Sequence, residues 1–278
     1  MTTHRRLIMT AAVFAVLAAC GGSPSPADNA QTGPPYNLVS TTVKDARTQQ
    51  IEVWAPTGQG QWPVVYAVPG TGGKWTDFDQ VGPALARQGV VVFASDYRVN
   101  GTEEQVTADL VCGYRYARSI AGSYGGELTR PVTALGYSRG AELVLGGLQE
   151  ALYGPGGSYK HCFAGVPIPD VVVAIDGCYY AYKDLTFDLP VGLLDDKDAH
   201  IVLLSGQKDD VCAPWQSTRA AKALQAADHD ATLVPIPDAN HYQPIFHDLV
   251  NGRWLTDPTS PAGRTTVQAV LDAIHAVG

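Results

Sequence analysis

The chain has 278 residues, 45% of them apolar, enough to bury one substantial core, and its formal charge is −8. No stretch is strongly basic, which argues against nucleic-acid binding, where Lys and Arg must neutralise phosphates. The acidity otherwise says only that the surface is well solvated.

His4-Arg5-Arg6 gives the N-terminus a positive start, and Leu7 to Ala19 is an apolar run broken only by Thr10. Such a run is too short to span a bilayer stably and reads as an export signal, residues 1–19. Arg5-Arg6 fits a twin-arginine signal poorly, given its flanks. Leu17-Ala18-Ala19-Cys20 resembles a bacterial lipobox. That resemblance implies cleavage before Cys20, a lipid on its side chain, and an extracytoplasmic protein anchored to the membrane. Residues 20–36, with "GGSPSPADNAQTGPP", cannot bury a core and read as a flexible tether to a domain spanning 37–278.

In that domain "NLVSTTV" and "QQIEVWAP" read as two short strands joined by the polar "KDART", a hairpin. "PVVYAVPG" is a buried strand, "FDQVGPALARQG" a helix closing at Gly89, and "VVVFASDY" a second continuous apolar strand. "EEQVTADLVCGYRYARSIAG" carries apolar residues near helical spacing, and "PVTALGY" leads into a helix from Arg139 to about Tyr153. "DVVVAIDG", "HIVLLSG" and "ATLVPIP" are three further strands, with helices expected over 214–228 and 264–276. Val- and Ile-rich runs alternating with helices predict an α/β fold, a mostly parallel central sheet with helices on both faces and an N-terminal antiparallel hairpin. Segments 154–170 and 179–198 fit no element and are candidates for a small cap beside a site.

With Cys20 assigned to lipid, Cys112, Cys162, Cys178 and Cys212 remain, an even number in an oxidising compartment. Three pairings are possible; Cys178 and Cys212 each follow a strand, so that pair is one of them. No CxxC or close His/Cys group suggests a metal.

Chemistry in such a sheet gathers at the carboxyl ends of the strands. Those ends read "VPGTGG", "ASDYR", "GYSRG", "IDGCYY", "SGQKDD" and "PDANHY". Three of them hold a serine, an acid and a histidine, in that order. A serine hydroxyl is a weak nucleophile that needs a base, and the base needs a partner to fix its tautomer and steady its charge. Ser138 sits between Gly136 and Gly140 where a strand turns into a helix, the setting that exposes a hydroxyl on a sharp turn.

"GYSRGAEL", with the downstream "SGQKDDVCAPWQS" and "PDANHY", resembles the α/β-hydrolase superfamily, and "YGGELTRPVTALGYSRGA" resembles its secreted bacterial carboxylesterase and feruloyl-esterase-like branches. The likeness spans about residues 50–275. It implies Ser138 as nucleophile and His241, in the loop after the last strand, as base. His247 lies six residues on, in a segment read as helical, while His161 and His200 precede strands and His229 ends a helix. For the acid, Asp209 stands three residues after Gly206 as in the family, while Pro214 stands four after Asp210; Asp209 is favoured. Asp238 is too near His241 in sequence, and Asp176 reads as a strand-end structural residue. The oxyanion donors implied are the N–H groups of Arg139 and of Thr71 in "PGTGG", with Gly72 as the neighbouring choice. Pro69 and Thr71 depart from the family's HGGG pattern.

The strand-end aromatics Trp75 (foremost), Phe78, Tyr97, Tyr137, Tyr179, Tyr180, Trp215 and Tyr242 are candidates to line an acyl or aryl pocket. Together these features imply a lipid-anchored serine hydrolase of small-molecule or polymer-attached carboxylic esters, with no cofactor, metal or nucleic acid. Two alternatives stay open. One is a peptidase or amide hydrolase, a class that in this fold carries an extra propeller or large cap; the other is an inactive binding lipoprotein.

Overall fold

The computed structural model describes residues 38–44, 49–58, 60–147, 167–179 and 199–278. The export signal, Cys20, the tether, His161, Cys162, Tyr180 and most of the two expected cap segments lie outside the described residues.

Eight strands form one sheet. In chain order they are β1 (Leu38–Lys44), β2 (Gln50–Pro56), β3 (Val64–Val68), β4 (Val91–Ser95), β5 (Val132–Tyr137), β6 (Val171–Ile175), β7 (His200–Gly206) and β8 (Ala231–Ile236). Their spatial order is β1-β2-β4-β3-β5-β6-β7-β8. The β1–β2 and β2–β4 pairs are antiparallel and the rest parallel, so the expected hairpin feeds a parallel sheet. β3, β4, β5 and β6 are buried at every position, which is why they read as unbroken apolar runs rather than alternating ones.

Helices cover both faces. Alternate residues of each strand feed two cores: Val64, Tyr66 and Val68 pack with α2 (Glu103–Ile120) and α4 (Trp215–Ala226), while Val65 and Ala67 pack with α1 (Val81–Ala86) and α5 (Pro261–Val277). The start of α2 is fixed by a capping box, Thr102 Oγ1 accepting from Gln105 N–H and Gln105 Oε1 from Thr102 N–H. Ser260 caps α5 ahead of Pro261, whose missing N–H costs nothing at the first helical position.

Three details depart from the sequence expectation. The helix expected over 78–89 is a 3₁₀ turn, Trp75–Phe78, followed by α1. After the serine, α3 spans only Arg139–Glu142 before a π-turn at Leu143–Gly147; residues 148–153 of the expected helix lie outside the described residues. His247 lies on a strand, not a helix. It opens β9 (His247–Val250), which pairs with β10 (Arg253–Thr256) around Asn251-Gly252, both at positive φ. Asn-Gly between apolar residues is a strong hairpin signal, and the sequence reading overlooked it.

Register sets the site. Val68 pairs Gly136, Tyr137 pairs Ile175, Ile175 pairs Leu204, and Gly206 pairs Ile236. The parallel strands therefore end along one edge, and the segments that follow β3, β5, β6, β7 and β8 all leave from it.

Candidate active site

β5 ends at Tyr137, and Ser138 begins the turn into α3 with φ 53 and ψ −120, a conformation that L-residues avoid. The surrounding structure enforces it: Ser138 N–H donates to Ile175 C=O at 2.8 Å, and Ser138 C=O accepts from Ala141 N–H at 2.9 Å. Both flanking glycines are demanded by close approach. A Cβ at Gly136 would lie 2.2 Å from Gly140 O, and one at Gly140 would lie 2.0 Å from Val68 O. Backbone meets backbone at both places, so no side chain could move aside.

Ser138 Oγ lies 3.0 Å from His241 Nε2, and His241 Nδ1 lies 2.7 Å from Asp209 Oδ2. Serine, histidine and aspartate are respectively 8%, 3% and 4% exposed. Since an ionised carboxylate only accepts, Nδ1 carries the proton and Nε2 is left as the acceptor for the serine hydroxyl.

Each partner is held by its own loop. Asn240 Oδ1 accepts from Tyr242 and Gln243 N–H, which turns the chain so that His241 faces inward. Asp209 Oδ1 accepts from Val211 and Cys212 N–H at 2.8 Å each. The two loops are stitched together by Gln207 N–H to Ile236 C=O and Lys208 N–H to Ala239 C=O. Asp209 rather than Asp210 is thus the residue brought to His241, while Asp210 is exposed. Asp238 pairs with Lys208 on the surface, and His200 with Asp230; His229 is buried at the end of α4 and His247 faces Asp79.

Cys212 forms a disulfide with Cys178, tying the segment after β6 to the loop of Asp209. Cys112 is also disulfide-bonded, to a partner outside the described residues. Among the described residues, Asp209, Cys212 and His241 offer ligand atoms within 4.8 Å of one another. That group does not fit a metal site: its sulfur is spent in the disulfide, and its carboxylate and imidazole are spent on each other.

Asp176 ends β6 with φ 47 and sits 1% exposed, its Oδ1 accepting from Gly206 N–H at 2.6 Å. Burial, reinforced by the nearby Asp209 charge, pushes its carboxyl well above the usual range. Its carboxylate props the end of β7, and Asp209 is the carboxylate that meets His241.

The loop after β3 comes up against the Ser138 turn, since a Cβ on Gly70 would lie 3.2 Å from Ser138 Cβ. Gly73 N–H closes a turn onto Gly70 C=O at 2.9 Å, with Thr71 and Gly72 at its exposed corner. Gly70 N–H donates to Asp77 Oδ2 at 2.8 Å and Trp75 N–H to Asp96 Oδ1 at 2.8 Å. These bonds engage the N–H groups of Gly70, Gly73 and Trp75, whereas those of Thr71, Gly72 and Lys74 make none among the described residues. The N–H of Arg139, first in α3, lies among the helix donors that have no intrahelical partner.

Sequence reasoning did not find Asp77 or Asn240, whose bonds run from side chain to backbone and leave no pattern in the sequence. Among the aromatics, Tyr137 and Tyr242 flank the His241 ring at 5.2 and 5.3 Å. Trp75, the favoured pocket residue, meets Trp54 edge-on at 5.9 Å. Phe78 and Tyr179 are core residues, and Trp215 is exposed.

Comparison with known proteins places this geometry in context. The model of the prolyl oligopeptidase family matches residues 181–251, the stretch that contains Asp209 and His241. A search of curated proteins by sequence finds no match. Esterase B from Lactobacillus rhamnosis, in an inhibited form, superposes with a TM-score of 0.70 at 16% identity, covering 87% of this chain and 88% of its own. A thermophilic esterase from Thermogutta terrifontis with propionate bound gives 0.62 at 17% identity, covering 88% and 95%. A putative dienelactone hydrolase from Klebsiella pneumoniae gives 0.62 at 18% identity, covering 86% and 99%. The chain has the α/β-hydrolase fold.

Proposed function

We propose that this chain is a serine hydrolase that cleaves carboxylic esters. The observation that carries the reading is the unbroken relay from Ser138 Oγ through His241 to Asp209, buried at the strand ends. His241 Nε2 takes the serine proton as Oγ attacks the ester carbonyl carbon. The carbonyl electron pair moves onto oxygen, and the N–H groups of Arg139 and Thr71 stabilise that oxyanion, each donor of this kind contributing roughly 10²–10³ in rate. Asp209 steadies the imidazolium, which then protonates the departing alkoxide as the acyl–oxygen bond breaks. Water, deprotonated by the same nitrogen, attacks the acyl-serine, and collapse releases the acid and restores Ser138.

Esterase B and the Thermogutta enzyme lend support by sharing the fold. A fluorophosphonate probe tests the reading. It labels the wild type and leaves Ser138→Ala unlabelled; equal labelling of both proteins, or of neither, refutes it. Nitrophenyl esters of rising acyl length then define the acyl group.

Amide hydrolysis is the second reading, supported by the match to the prolyl oligopeptidase family over 181–251. Paired nitrophenyl esters and nitroanilides of one acyl group separate the two: comparable kcat/KM on both favours the peptidase reading, and a strong ester preference favours the esterase.

From the sequence pattern alone we infer that residues 1–19 direct export and that Cys20 carries the lipid that holds the enzyme at the membrane. Palmitate incorporation lost in Cys20→Ala supports this, and labelling retained in that variant overturns it.

A further inference from the structure

We propose that Tyr97 is a positioning residue whose hydroxyl aims the Thr71 N–H at the reacting oxygen. The inference rests on the serine-hydrolase reading and adds to it the device that orients one oxyanion donor.

Tyr97 follows β4 and holds both ends of the Gly70–Gly73 turn. Its hydroxyl donates to Gly70 C=O, and its N–H donates to Gly73 C=O at 3.1 Å. Gly73 stands at φ 62, where a Cβ would meet Tyr97 O at 2.6 Å, so turn and tyrosine fit only with glycine there. The peptide joining Gly70 to Thr71 is planar and trans, so its C=O and its N–H point in opposite directions. Anchoring the carbonyl on the phenol therefore fixes the direction of the Thr71 N–H, away from Tyr97. The preceding peptide is fixed from the other side, its Gly70 N–H committed to Asp77. Two side chains thus grip the two peptides that flank Gly70, beside Ser138.

The hydroxyl is suited to a permanent role. Tyr97 is 3% exposed, and burial pushes its phenol above the ordinary range, so it stays a donor wherever the enzyme works. Nothing in the relay requires it: Tyr97 bonds the loop after β3, while Ser138, His241 and Asp209 are held by the segments after β5, β8 and β7.

Tyr97→Phe removes the oxygen and keeps the ring that fills the core. The assay compares kcat and KM on a nitrophenyl ester with the Ki of an alkyl trifluoromethyl ketone, whose Ser138 adduct bears an oxyanion. The expected result is a fall in kcat of about tenfold or more, KM within about twofold, and a Ki raised by the factor that kcat/KM loses. Partial misfolding would lower apparent kcat and leave Ki unchanged, so Ki reads orientation alone; an unchanged Ki overturns the proposal. If the wild type neither turns over ester nor forms the ketone adduct, the hydrolase reading fails and this inference fails with it. If the wild type does both and Tyr97→Phe matches it, only the role of Tyr97 is refuted.

Discussion

The Cys178–Cys212 disulfide closes a loop with a sequence separation of 34. Crosslinking removes conformations from the unfolded chain, and for that loop length the chain-entropy relation gives about 4 kcal/mol at 25 °C. Replacing both cysteines by serine should therefore lower Tm by roughly 8–16 °C, taking 2–4 °C per kcal/mol for a chain of this size class. Thermal unfolding followed by circular dichroism measures it, with wild type and Cys178→Ser/Cys212→Ser scanned side by side. Below the variant's Tm, ester turnover should fall less than about tenfold. Asp209 is still held there by the Val211 and residue-212 N–H groups, which belong to the backbone and survive the substitution. A Tm within about 3 °C of the wild type would refute the entropic reasoning. Equal stability with lost activity would instead make the crosslink a local brace for Asp209.

Asp209→Asn should lower kcat by about 10⁴, because an amide no longer selects the tautomer that leaves Nε2 free. Asp210→Asn should change it less than about twofold, and steady-state kinetics on one ester compares the two. For Asp176 the sign follows from its raised carboxyl. Native and unfolded states are both protonated well below its ordinary value of 3.8; above that value only the native state keeps the proton, so stability falls as pH rises. The slope contributed is up to about 1.4 kcal/mol per pH unit, so Asp176→Asn should gain on the wild type as pH rises above about 4 in urea unfolding. Parallel pH–stability curves for the two proteins would contradict it. Gly140→Ala puts a methyl 2.0 Å from Val68 O and should cost about 3 kcal/mol or more, whereas Gly72→Ala meets nothing within 4 Å and should leave Tm unchanged.

Much of this architecture was legible because the signals are local. The apolar runs that form β3 to β6 are buried on both faces, so composition alone betrayed them. Gly136 and Gly140 mark the serine turn because two backbone approaches there exclude any Cβ. Asp209 and Asp210 are adjacent carboxylates that only the fold separates: the N–H groups of Val211 and Cys212 turn the first toward His241 and leave the second in water. The loop-holding roles of Tyr97 and Asp77 were out of reach for another reason. Their bonds to Gly70 bridge 27 and 7 positions and engage backbone atoms, which every residue possesses. The β9–β10 hairpin has only Asn251-Gly252 as its local signal, because β10 is exposed at every position and shows no buried apolar run.

The relay joins residues that lie far apart along the chain. Ser138 and His241 are 103 positions apart, and their loops leave β5 and β8, which become neighbours only through β6 and β7. No shorter stretch of polypeptide holds the whole device. On the serine-hydrolase reading, Ser138 can be acylated during refolding only once β8 has docked on β7 and brought His241 to it. Reactivity at one serine becomes a chemical stopwatch for completion of the sheet.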